Sequence, residues 1–157
     1  MVQLFRILFF RVKPPFTLMR PVHERWPIND DNPFGQPDKT YTDLGYLGHP
    51  GVDFLTPLGT PVVASADGIC VTAREVGTAG LMVRLEHGKE YATRYLHLRD
   101  TFIREGFRVK RGTVIGLSGN SGLSTGPHLH FDLYDYKEAV TNGYGGRVNP
   151  LPLMEAR

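Results

Sequence analysis

From Thr60 onward the chain consists mainly of short apolar runs separated by turn residues, and this pattern limits the fold classes that the chain can adopt. The stretch GLMVRLEHGKEYATRYLHLRD, which begins at Gly80, contains two such runs on either side of His87-Gly88-Lys89. Runs of aliphatic and aromatic residues bounded by Gly, Pro, Asn or Asp are typical of β-strands. Because no segment shows a long helical period, the sequence predicts an all-β, mainly antiparallel fold.

Three further segments fit the same pattern. Asp67-Gly68, a dipeptide common in hairpin turns, separates two predicted strands in TPVVASADGICVTARE. The stretch FRVKRGTVIGLSGNSG predicts a strand, a turn and another strand, and HLHFDLYDY predicts a last strand. The chain also has 18 glycines and 12 prolines for its turns. We therefore expect the sheets to form one compact β-sandwich or half-barrel.

The size and charge of the chain limit its class. A length of 157 residues suits one domain with a sizeable core. The formal net charge of +2 does not indicate nucleic acid as a partner, and no stretch has the roughly 18 apolar residues that a membrane span needs. Cys70 is the only cysteine, so we expect a small buried core residue rather than a nucleophile. The oligomeric state stays open.

The first 25 residues are strongly basic. They contain five basic residues and one acid, a charge of +4 that leaves −2 for the rest of the chain. Arg6 interrupts their apolar run and no small-residue cleavage site follows, so we do not expect an ordinary secretion signal. We predict a basic extension over residues 1–25, a functional domain over 26–151 and a tail over 152–157. The extension is expected to be an extra strand or packing arm rather than a contact for an anionic surface.

Two histidines one residue apart point to a functional site. In GPHLHFDLYD, which spans residues 126–135, the apolar and aromatic residues favour a strand. Residues two apart in a strand point to the same face. His128 and His130 are therefore expected to project together, with Leu129 and Phe131 on the opposite face.

A second motif adds a carboxylate. GHPGVDF contains His49 and Asp53, and an even separation of four places both on one side of an extended segment. Imidazole nitrogen and carboxylate oxygen are both good zinc ligands. In TRYLHLRD, alternation predicts that Tyr95 and His97 share one face, with Leu96 and Leu98 on the other. Such a face could line a cleft, with Tyr95 either a half-buried strand residue or close to the reacting group.

Together these motifs contain enough ligands for a catalytic metal. A catalytic zinc site has three protein ligands and an open fourth position. Three of the five candidates would bind metal and two would remain for acid–base work; the five are His49, Asp53, His97, His128 and His130.

The order of the motifs resembles that of the lysostaphin-type, or LytM-type, zinc metallopeptidases. The matching motifs are GHPGVDF, GTPVVASADG, YLHL, GNSGLSTGPHLHFDL and VNPL, over roughly residues 34–151. The resemblance implies a small β-sheet domain with zinc on the floor of a groove. It also implies an endopeptidase that cleaves the stems or cross-bridges of bacterial peptidoglycan, at the periplasmic or extracellular side of the cell. The sequence does not indicate the export route.

The resemblance also implies individual roles. His49 and Asp53 match the H-x-x-x-D ligands, and His130 matches the third ligand of one zinc ion per chain. His97 and His128 match the two catalytic histidines that do not bind metal, and the sequence leaves open which of them is the general base.

Two alternatives use similar residues differently. Non-haem Fe(II) oxygenases also bind metal with two histidines and a carboxylate, but they do not need His97 and His128. Some relatives of the peptidases have lost ligands and act as non-catalytic peptidoglycan-binding or activator domains, whereas all five positions are filled here. One departure is Asp132, which stands where many relatives have Glu.

Overall fold

The computed structural model of the protein describes residues 16–155. Its strands are β1 (Val52–Phe54), β2 (Pro61–Val63), β3 (Gly68–Glu75), β4 (Leu81–His87), β5 (Tyr91–Thr101), β6 (Arg108–Val109), β7 (Val114–Ser118), β8 (Leu129–Asp135) and β9 (Arg147–Val148). One short helix, α1 (Lys39–Asp43), precedes them, and the 3-10 turns are Gly77–Ala79 and Leu151–Leu153.

The nine strands belong to one sheet. Its main path is β1-β8-β5-β4-β3-β6, and β7 connects β2 to β5 while β9 lies beside β8. All eight pairings between these strands are antiparallel. The all-β, mainly antiparallel prediction is confirmed, and so is the hairpin of β4 and β5 around Gly88.

One predicted hairpin is wrong. β2 and β3 flank Asp67-Gly68, but β2 pairs with β7 and β3 pairs with β4 and β6. The Asp67 side chain accepts hydrogen bonds from the Arg111 backbone N–H at 2.9 Å and from the Lys110 ammonium at 2.7 Å. The turn is therefore attached to the loop before β7 instead of closing a local hairpin.

Strand β8 presents apolar side chains to the core on one face and polar side chains on the other face. Leu129, Phe131 and Leu133 are fully buried in the hydrophobic core. His130 and Asp132, which alternate with them, are also buried but point to the other face of the strand. Core packing on one face thus fixes which residues β8 presents on the other.

Both ends of the described chain pack on this core. Leu18 is fully buried and forms a β-bridge with Met154, and Val22 is 2% exposed. Residues 1–15 lie outside the described part of the chain, so the predicted boundaries at residues 25 and 151 stay predictions. Between residues 16 and 155, no helix has the length and apolar character to cross a membrane.

We expect Leu18→Ala to destabilise the fold by about 2–5 kcal/mol, because it leaves a cavity at a fully buried site. Leu58→Ala is the matched control, since Leu58 is 56% exposed and its truncation should change stability by no more than about 0.5 kcal/mol. Urea unfolding at constant m-value measures both free energies. Equal midpoints for the two variants would show that residue 18 does not contribute to the core.

Candidate metal centre

The register of β1 on β8 brings two of the predicted ligands together. Asp53 lies directly opposite His130 in this antiparallel pair. The Nδ1 atom of His130 is 3.0 Å from Oδ1 of Asp53. Both residues are buried, at 6% and 5% exposure.

His49 completes the group from the loop before β1. Its backbone exchanges hydrogen bonds with the segment around Gln36, which places the ring over the end of β1. Its Nδ1 lies 2.7 Å from the carbonyl oxygen of Asn32 and donates to it, so Nε2 keeps its lone pair. That Nε2 lies 3.0 Å from Nδ1 of His130 and 3.3 Å from Oδ1 of Asp53.

These three ligand atoms fit a tetrahedral metal. Zinc ligands at about 2.1 Å in tetrahedral geometry lie about 3.4 Å from one another. The three separations observed here are 3.0, 3.0 and 3.3 Å. Two imidazoles and one carboxylate are also a donor set that zinc accepts, with a fourth position left open. The residues present therefore fit one zinc ion.

Gly51 allows His130 to reach this position. A Cβ atom at residue 51 would lie 2.6 Å from Nε2 of His130 and 2.6 Å from the carbonyl oxygen of Phe131. Real Cβ contacts do not occur at that distance, so any side chain here would displace the ring or the strand. The glycine of the GHPGVDF motif therefore serves the site by close approach.

His97 reaches the site through a β-bulge. Val83 pairs with Tyr95 and Leu81 with Leu98, so β5 has one extra residue over this interval. His97 lies inside it with a φ of 61°, an unusual value for a residue other than glycine. Its Nδ1 donates to the carbonyl of Ser121 at 2.8 Å, which leaves Nε2 free.

The bulge corrects the predicted alternation in β5. Leu96 and His97 both line the cleft, whereas Tyr95 and Leu98 are fully buried in the core. The Tyr95 hydroxyl accepts a hydrogen bond from the backbone N–H of Ser65 at 2.8 Å. The predicted pairing of Tyr95 with His97 on one face is therefore wrong, and the tyrosine hydroxyl does not face the cleft.

His128 stands beside His97. The two ring centroids are 4.8 Å apart. Nδ1 of His128 donates to the carbonyl of Gly126 at 2.8 Å, and Nε2 lies 3.7 Å from Oδ1 of Asp53. Both histidines thus present Nε2 to the region around the three grouped ligand atoms, although neither belongs to that group.

Two residues that the sequence did not indicate also support the site. Asn32 donates from its side-chain nitrogen to Oδ2 of Asp53 at 3.1 Å and to the Tyr41 hydroxyl at 2.9 Å. The Tyr41 ring stacks on His49 with centroids 4.9 Å apart. Tyr41 lies on the short helix α1, which has no periodic signal, so only the folded chain shows this contact.

Asp132 lies behind His130 in a buried ionic cluster. Its Oδ2 is 3.5 Å from Nε2 of His130, an electrostatic contact longer than a hydrogen bond. Arg94 binds the carboxylate in bidentate fashion, with Nε 2.9 Å from Oδ1, and Arg147 adds a hydrogen bond of 3.1 Å to Oδ2. The shorter side chain of Asp132 is therefore held mainly by the two arginines.

Burial and charge set the protonation of the centre. Burial tends to raise the pKa of Asp53, but the hydrogen bond from His130 and the neighbouring His49 imidazole outweigh it and hold that pKa well below its usual range. Burial lowers the pKa of His97 to about 4, aided by the charges of His128 and His130. At neutral pH the carboxylate is therefore ionised and the His97 imidazole is neutral.

Asp53, His97, His128 and His130 line one cleft with a volume of about 660 Å³. His49 and Asp132 contact these residues but are fully buried. The walls of the cleft include residues of α1 and of the segment from Leu123 to His128. Cys70 lies elsewhere, 1% exposed in the core, as predicted.

We expect Gly51→Ala to reduce zinc content strongly, because the new Cβ displaces the His130 ring. Gly126→Ala is the control, since a Cβ there meets no atom within 4 Å. Metal analysis of both folded variants after dialysis against limiting zinc makes the comparison. Full zinc occupancy in Gly51→Ala would contradict the close-approach argument.

Zinc uptake should release protons at neutral pH. Burial lowers the pKa of His130, but the carboxylates of Asp132 and Asp53 outweigh it and raise that pKa to about 9 in the metal-free protein. The imidazole is then protonated below about pH 9 and must lose its proton to bind metal. Apparent zinc affinity is therefore expected to rise by about tenfold per pH unit from pH 7 and to level off above about pH 9.

Calorimetric titration with zinc in two buffers of different ionisation enthalpy measures this proton release. About one proton per zinc is expected at pH 7 and a smaller number at pH 9.5. A heat of binding that does not depend on the buffer at pH 7 would contradict the raised pKa of His130.

The chain is similar to known proteins in sequence and in fold. The family model described as Peptidase family M23 matches residues 47–142. The peptidoglycan DD-endopeptidase ShyA of Vibrio cholerae is 52% identical over 85 residues, which cover 54% of this chain and 20% of ShyA. The chain spans between a fifth and a quarter of the length of the curated relatives it matches.

Two solved structures share the fold. A zinc-containing peptidase from Vibrio cholerae superposes with a TM-score of 0.66 at 34% identity, covering 78% of this chain and 40% of that one. The catalytic domain of lysostaphin from Staphylococcus simulans gives 0.68 at 30% identity, covering 82% and 91%. With the family match over residues 47–142, these likenesses identify the chain as a member of peptidase family M23.

Proposed function

We propose that this protein is a zinc-dependent endopeptidase that hydrolyses peptide bonds in the cross-bridges or stem peptides of bacterial peptidoglycan. The observation that carries the proposal is the convergence of five side chains on one site, four of which line the same cleft. Three of them group their ligand atoms as a metal site, and His97 and His128 present a free Nε2 beside it. A domain that only binds its ligand would not need this second pair.

Within this proposal, His49, Asp53 and His130 hold one zinc ion per chain. When bound there, zinc lowers the pKa of water toward about 7 and polarises a carbonyl oxygen. Asn32 orients two of the ligands, because its backbone oxygen fixes the His49 ring and its side chain holds Asp53.

His97 and His128 move protons in this proposal. Each ring is anchored through Nδ1–H to a backbone carbonyl, so proton exchange takes place at Nε2. One of them takes the proton of the attacking water, and the other stabilises the developing oxyanion or protonates the leaving amine. A positioned group of this kind contributes typically about 10²- to 10⁴-fold to the rate.

The relatives favour one class of peptide bond as the substrate. ShyA is a peptidoglycan DD-endopeptidase that is 52% identical to this chain over 85 residues, and ShyB, another peptidoglycan DD-endopeptidase of the same organism, is 46% identical over 85 residues. A D,D-peptide bond in peptidoglycan is therefore the favoured target, and the site of action is the cell wall. Digestion of purified walls and mass spectrometry of the new amino termini would identify the bond.

Removing a ligand and removing a proton carrier should have different effects. We expect His130→Ala to lose zinc and activity together, because one of three ligands is gone. His128→Ala and His97→Ala should keep zinc but lose about 10²-fold or more of the rate. His23→Ala is the control, because His23 is exposed and outside the cleft. Zinc content and wall hydrolysis are measured on all four folded variants.

Three results would contradict this proposal. A metal-free His128→Ala beside a zinc-bound His130→Ala would reverse the assignment of the HLH pair. Wild-type protein that binds zinc but leaves purified walls intact, with and without a chelator, would favour the non-catalytic alternative. Oxygen consumption by the iron-loaded protein would favour the oxygenase alternative.

A further inference from the structure

Two arginines behind the metal centre carry more positive charge than is needed to neutralise the Asp132 carboxylate. Arg94 and Arg147 both bind the Asp132 carboxylate, so the cluster of three carries a net charge of +1. Asp132 is fully buried, and the arginine side chains are only 15% and 6% exposed. Within residues 16–155, neither arginine forms an ion pair with another carboxylate. An excess charge so little exposed to water is costly unless an anion approaches it.

In each guanidinium, one terminal nitrogen also forms no hydrogen bond to the described residues. Arg94 uses Nε and Nη2 for Asp132, which leaves Nη1. Arg147 uses Nε for Asp132 and Nη1 for the carbonyl of Tyr144 at 2.8 Å, which leaves Nη2. The hydrogen bonds of the described residues therefore do not saturate the donors of this pair.

Both arginines that carry these unused donors line the cleft. Arg94 and Arg147 both line the space that His97, His128 and His130 line. Stacking on aromatic rings limits the movement of Arg147, whose guanidinium carbon lies 5.0 Å from the ring centroid of Tyr46 and 4.7 Å from that of Tyr134. The cleft thus has a positioned cationic patch on the His130 side of the metal centre.

We propose that Arg94 and Arg147 bind a carboxylate of the substrate peptide close to the scissile bond. A guanidinium presents planar donors that match a carboxylate, and such charge-assisted hydrogen bonds are the strong ones. This inference rests on the proposed peptidase function and adds a specificity determinant to it. The carboxylate is attached to the residue on the amine side of the scissile bond or to the stem on the acyl side, and the chemistry of recognition is the same for both.

Three soluble cross-linked peptides test the proposal on the zinc-loaded wild-type protein. The first keeps all its carboxylates, the second has a carboxamide in place of the carboxylate on the amine side, and the third has carboxamides on the acyl-side stem. We expect kcat/KM to fall by about 10- to 100-fold for one of the two amidated peptides. Whichever peptide loses the rate identifies the source of the carboxylate.

The variants link that preference to the arginines. In Arg94→Gln and Arg147→Gln the ratio of kcat/KM between carboxylate and amide substrates should fall toward one, and Arg94→Lys should keep part of it. Arg84→Gln is the matched control, because Arg84 lies directly opposite Arg94 on β4, pairs with Glu86 and does not line the cleft. A variant with merely weakened packing would lose rate on all three peptides without a change in this ratio.

Failure of the carboxylate proposal can be distinguished from failure of the proposed peptidase function. Equal wild-type rates on the three peptides, or a preference that both glutamine variants retain, would overturn the carboxylate proposal and leave the peptidase function standing. Failure of the wild-type protein to cleave any of them would overturn the function, and this inference with it. Because the wild-type preference needs no substitution, a variant that fails to fold does not prevent the test.

Discussion

The metal centre depends on the pairing of β1 with β8, two strands that lie far apart in the sequence. Asp53 faces His130 only in the observed register, with Val52 opposite Phe131 and Phe54 opposite Leu129. A slip of one residue would turn Asp53 toward the core and an apolar side chain toward the cleft. The apolar residues on both strands are fully buried, so the same packing that stabilises the fold selects the register that assembles the ligands.

The two buried carboxylates next to this register stay ionised because cationic side chains lie beside them. Asp53 and Asp132 are both buried, and burial alone would favour their neutral forms. His49 and His130 keep Asp53 ionised, and Arg94 with the other cations does the same for Asp132. Removing one member would leave a buried charge without a partner, which is more destabilising than the loss of an exposed ion pair.

Local sequence patterns are enough to predict most of the strands and the five candidate site residues, because alternation and ligand type are local properties. They were not enough where a long-range contact overrides alternation. The extra residue in β5 turns Tyr95 into the core and His97 into the cleft, and no residue between them is a glycine that would signal a bulge. Asn32 and Arg147 likewise reach the site from loops and a short edge strand, and their positions follow only from the folded sheet.

Three of the four histidines at the site have their tautomer fixed by backbone carbonyls, those of Asn32, Ser121 and Gly126. A backbone acceptor is present whatever side chain its residue carries. The direction in which these imidazoles offer their lone pairs is therefore encoded in loop length and path rather than in residue identity. Homologous loops could diverge in composition while keeping the proton arrangement, whereas the insertion or deletion of a single residue would move the acceptor and change it.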